Sequence, residues 1–176
     1  MNNNLIADKN ISFEDAIALT QRFIEQIKQL SEAEKEEVIS SLVASENGAR
    51  GLFVTYLTSD NSVVDNLSQG IINGLKTSPQ IVSELLVKNV AMSTAMRLTH
   101  TRNSNPKMAE SSFKVTQRSL NLIEELSLPE TKEKIILLIN TIKQKEGVYQ
   151  EFLSRWGYDE EQKKLILDVL TKIDHN

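Results

Sequence analysis

From Val90 to Met96 the chain reads Val-Ala-Met-Ser-Thr-Ala-Met, a stretch that puts no charge on any face of a helix. A helix that is apolar or small all round is normally buried. Small residues at its surface let neighbouring helices approach closely. The stretch therefore demands a shell of other elements, and the rest of the sequence supplies helices. Apolar residues recur at three-and-four spacing nearly throughout, and no five-residue segment alternates cleanly enough for a half-buried strand.

The helix boundaries are written locally. Each of the three prolines, Pro79, Pro106 and Pro129, opens a long periodic run, and proline suits a first helical position because the N–H it lacks would be unpaired there. Ser12 with Asp15, Ser31 with Glu34, Ser62 with Asp65 and Asp159 with Gln162 have capping-box spacing. Gly48 and Gly147 read as helix stops. The expected fold is an all-α, single-domain globule of about eight or nine helices, with a central buried helix near residues 79–101. Residues 1–10 read as a mobile N-terminal segment and residues 11–176 as the domain.

Several kinds of chemistry are missing. There is no cysteine, which removes disulfides, thiolate metal sites and cysteine nucleophiles and suits a cytoplasmic location. The Glu-x-x-His pattern of di-iron bundles is absent, since Arg97 precedes His100 and Lys172 precedes His175 at that spacing. No Walker A loop, Gly-x-Gly-x-x-Gly, Gly-x-Ser-x-Gly or His-Glu-x-x-His occurs. Asn47-Gly48-Ala49-Arg50-Gly51 lacks the lysine of a phosphate loop and reads as a helix–helix corner. The oxygens of Ser59–Ser62 and Asp65 lack an EF-hand's glycine and terminal glutamate. The polar start and the lack of a ~20-residue apolar span point away from a signal peptide or membrane segment. No catalytic residue, metal or cofactor is therefore expected.

The net charge of −4 is unevenly spread: −6 over residues 1–84, +5 over 85–119 and −3 over 120–176. No acid lies between Glu84 and Glu110. Two readings follow. Arg97, His100, Arg102 and Lys107, at the ends of the fifth and sixth helices, could hold an anionic ligand with help from the sixth helix's free N–H groups. Alternatively the basic segment pairs with the acidic flanks of its own chain. Nucleic acid is not expected, because the chain is acidic and its basic segment holds one aromatic, Phe113.

Four of the nine aromatic residues fall within ten positions: Tyr149, Phe152, Trp156 and Tyr158. Tyr149, Phe152 and Trp156 are spaced to share one helical face. With Arg155 they make a candidate partner-docking patch, since Trp, Tyr and Arg dominate interface hot spots. Packing against the last helix is the plainer reading. Taken together, the sequence points to a non-catalytic protein-interaction or regulatory module. A binder or sensor of an anionic ligand and an enzyme without a local motif are the alternatives. A protein partner is expected, a two-fold homodimer being one form of it.

Overall fold

Helix starts follow the capping residues. In the computed structural model, which describes residues 3–174, nine α-helices and no strand occur among the described residues. They are α1 (Phe13–Gln26), α2 (Glu32–Val43), α3 (Glu46–Thr58), α4 (Gln69–Lys76), α5 (Pro79–Arg102), α6 (Pro106–Leu126), α7 (Pro129–Gln144), α8 (Gln150–Trp156) and α9 (Glu160–Asp174). Ser12 Oγ accepts the Asp15 N–H, and Ser31 with Glu34 forms a complete capping box. Asp159 and Gln162 exchange side-chain and backbone bonds at 2.9 and 3.0 Å. All three prolines open helices. His175 lies outside the described residues.

Helix α5 is the hub. It packs against α3, α4, α6, α7 and α9. Val82, Leu86, Val87, Val90, Ala91 and Ala95 are fully buried, while Met96 surfaces at the end of the uncharged stretch. Two buried hydroxyls of the hub meet neighbouring helices, while Thr94 Oγ1 is buried without a partner among the described residues. Ser83 Oγ meets Thr131 Oγ1 of α7 at 2.8 Å, and Ser93 Oγ meets Thr116 Oγ1 of α6 at 2.7 Å. A buried hydroxyl left without such a partner would cost about 1–3 kcal/mol.

Three expected boundaries differ. Helix α7 stops at Gln144, and Lys145 rather than Gly147 takes the left-handed cap. Gly48 does not end a helix. Helix α2 stops at Val43, Ser45 caps α3, and Gly48 sits in the first turn of α3. Glycine is required there by proximity, since a Cβ would come within 2.1 Å of the Leu42 carbonyl oxygen. Ser62 and Asp65 do not cap the fourth helix. They form a 3₁₀ turn, Ser62–Asp65, and α4 begins after Ser68. Ahead of α1, Leu5 is buried against the domain, and the Ala7 N–H donates to Ser41 Oγ at 2.9 Å.

A carboxylate from one helix serves another's start. Glu32 of α2 accepts from Lys35 Nζ and from the Gly70 N–H in the first turn of α4, both at 2.7 Å. The lysine bond first and the Gly70 amide second hold the Glu32 carboxyl at about 2, against an ordinary 4.5. A depressed folded pKa stabilises the native state above the unfolded value, and that contribution is lost as pH falls through the folded one. Glu34, Asp65 and Asp159 shift in the same direction. The urea midpoint is therefore expected to hold level above pH ~5 and to fall between pH ~4.5 and ~2, with Glu32→Gln flattening part of that fall. A midpoint that stays constant to pH ~3 would contradict it.

Candidate functional site

The basic corner is made where α5 ends and α6 begins, and its two arginines take different partners. The Arg97 guanidinium lies 4.1 Å from the centroid of the Phe113 ring, stacked on α6. Arg102 reaches α9: Nη1 donates to Asp159 Oδ2 at 2.6 Å and Nη2 to Glu161 Oε2. Those two bonds raise the Arg102 pKa, and the Arg102 bond lowers that of Asp159. His100 is half-buried, and Lys107 is exposed with no ion pair among the described residues. The first-turn Met108 N–H is already taken by Asn105 Oδ1 at 3.2 Å. Arg97 and Arg102 thus turn to different neighbours, the one to α6 and the other to the start of α9. An open cleft of about 380 Å³, lined by Asn4, Leu5, Arg22 and Gln26, contains none of the four corner residues.

The basic segment pairs instead with the chain's own flanks. Lys88 meets Glu84 at 3.0 Å and Lys114 meets Asp60 at 3.4 Å. Arg118 is the strongest case, and the sequence did not single it out. It is only 8% exposed. Its Nε and Nη2 donate to the two oxygens of Asp65 at 2.8 and 3.2 Å, and its Nη1 to the carbonyls of Leu57 and Ser59 at 2.9 and 2.7 Å. The guanidinium thereby satisfies carbonyls at the end of α3 and fixes the Ser62–Asp65 turn. The available signal was spacing: Arg118 lies four residues before the buried Leu122.

The aromatic face splits in two. Tyr149 is the residue before α8 and not part of it, so helical spacing does not extend to it. It is 5% exposed, and its hydroxyl donates to Glu84 Oε2 at 2.8 Å. Glu84 also takes Lys88 and Lys134, the latter at 3.2 Å. Burial works to raise the Glu84 carboxyl, but the bonds from Lys88, Tyr149 and Lys134 outweigh it and hold it below the usual range. Burial, then the bond to Glu84, pushes the Tyr149 hydroxyl up. Phe152 sits edge-on to both Tyr149 and Tyr158, at centroid distances of 6.4 and 6.2 Å, with Lys88 Nζ 5.5 Å from its centroid. Trp156, four residues after Phe152 at the end of α8, is not buried with them. It is 52% exposed, and Arg155 beside it is exposed too.

Among the described residues, no group of three or more His, Asp or Glu is placed to hold a metal ion, and no helix is long and apolar enough to cross a membrane. The sequence from residue 12 to residue 173 matches the model of a family described as uncharacterised conserved protein UCP020893, and the chain belongs to that family. No curated protein and no solved structure matches it.

Proposed function

We propose that this member of the UCP020893 family is a non-catalytic interaction module of the cytoplasm that binds another protein through the outer face of α8. The observation that carries the reading is Trp156. It is the chain's one tryptophan, and it stands 52% exposed next to Arg155. Its helix is anchored from beneath by Tyr149, Phe152 and Leu153. A large apolar ring on a supported element, with a guanidinium beside it, has the residue types that carry most binding energy when a partner excludes water around them. The anionic-ligand alternative is weaker, because Arg102, the best oxyanion fork of its corner, is already occupied by Asp159 and Glu161.

The test uses the full chain in its host, with a photo-crosslinking phenylalanine analogue in place of Trp156. The control carries the same analogue at Val54, a comparably exposed apolar site on α3. A discrete adduct is expected at 156 and not at 54, and Arg155→Glu should weaken it by about tenfold. An adduct of twice the chain's mass would identify a second copy as the partner. No adduct at 156, or the same adducts at both positions, would overturn the reading.

A further inference from the structure

Helix α8 hangs between two left-handed breaks. Before it, Lys145 adopts φ 59° and Gly147 φ 137°; after it, Gly157 adopts φ 62°. At Gly147 space also demands glycine, because a Cβ would come 2.6 Å from Thr141 Oγ1. At Gly157 a Cβ would meet nothing within 4 Å, so the turn alone demands it. Between these breaks α8 has seven residues, far fewer than a helix needs to persist by itself in water. Its backbone packs along none of the other helices.

Side chains do most of the holding, beside one long bond from the Tyr149 N–H to Thr141 Oγ1 of α7. Leu153 is its one buried helical residue. Phe152 is gripped by the rings of Tyr149 and Tyr158 and by the Lys88 ammonium. The Tyr149 hydroxyl is clasped by Glu84, which is itself held by Lys88 from α5 and Lys134 from α7. An element with few apolar attachments and a broken backbone at both ends belongs to the low-stability end of a fold.

We propose that residues 145–157 are a latch. Helix α8 swings off α5 and α7 as one unit, turning about Lys145–Gly147 and Gly157, while the other helices stay folded. The Tyr149–Glu84 bond sets how often it opens. Opening uncovers Tyr149, Phe152 and Leu153 beside Trp156, enlarging the apolar face, and it releases Glu84 from the Tyr149 hydroxyl and Lys88 from the Phe152 ring. This goes beyond partner binding and does not rest on it: a latch that opens with no crosslink at 156 sinks only the interaction reading, and a crosslink without opening sinks only the latch.

Native-state hydrogen exchange of the full chain, resolved by segment, decides it. The α8 amides are expected to exchange at least about 100-fold faster than those at the centre of α5. They should also accelerate together in urea well below the global midpoint, which end-fraying would not do. Tyr149→Phe should raise the α8 rate about tenfold while leaving α5 within about twofold. Glu84→Gln serves as the second variant, and the wild-type urea dependence decides alone if neither variant folds. Exchange of α8 at the α5 rate, a urea-independent α8 rate, or a variant that speeds every helix equally would overturn the latch.

Discussion

Arg118→Met is expected to lower the unfolding free energy by about 3 kcal/mol, a drop of roughly 6–12 °C in Tm for a domain of this size. Methionine keeps much of the stem's packing, so the loss isolates the guanidinium. Two carbonyls, Leu57 and Ser59, lose their donor at the end of α3. An unsatisfied buried acceptor costs about 1–3 kcal/mol. Asp65 loses its bidentate partner but is half exposed, so water takes over much of its solvation, and the full ~3–5 kcal/mol of a broken buried pair does not apply. Urea unfolding checks the figure. A loss under about 1 kcal/mol would mean that water enters and replaces the guanidinium.

Gly70→Ala and Gly51→Ala come next, and here two effects oppose each other. Both glycines lie inside helices, where alanine is favoured by about 1 kcal/mol. Space says the reverse. At Gly70 a Cβ would lie 2.2 Å from the Glu32 carbonyl oxygen, and at Gly51 it would lie 2.4 Å from the Ala16 Cβ. Backbone cannot rotate aside as a lysine tip can, so α4 must move off α2, and α3 off α1. Overpacking of that kind costs about 1–3 kcal/mol, and with so short an approach the upper part of the range prevails. A net loss of about 2 kcal/mol is expected at each site, read by urea midpoint. Ala16→Gly in the Gly51→Ala background should recover part of it, a positive coupling of about 1 kcal/mol between residues in contact. A stabilised Gly70→Ala would show that propensity outweighs the clash.

What could be read from the sequence is what is local. Ser31 with Glu34, Asp159 with Gln162 and the three prolines act within four residues of themselves, so the frame of nine helices and the buried Val90–Ala95 hub were legible. Gly48 and Asp65 were misread because their roles are set from outside their own segment. Gly48 answers to the Leu42 carbonyl as α3 folds back on α2. Asp65, three residues after a serine, has capping spacing, yet Arg118 claims it from 53 positions away. Of the four basic residues proposed as one corner, Arg102 carried no sign of its acceptors, because Asp159 and Glu161 arrive from the far end of the chain. The tyrosine, phenylalanine and tryptophan near residue 150 fit one helical face only if the helix begins at Tyr149. Tyr149 instead precedes α8, and Trp156 is the helix's last residue, half exposed before the left-handed Gly157.

The way α9 meets the central helix bears on the order of events during synthesis. Gln162 Nε2 donates to the Ala95 carbonyl at 3.2 Å and to Thr99 Oγ1 at 3.0 Å, and Arg102 reaches Asp159 across 57 residues of chain. Most other helix pairs are near neighbours in the chain and close short loops, which cost little entropy and form early. The roof over one side of α5 is made by the last of the nine helices to leave the ribosome. Until α9 has emerged, that flank of the central helix stays open, and the nascent chain is exposed there to wrong associations.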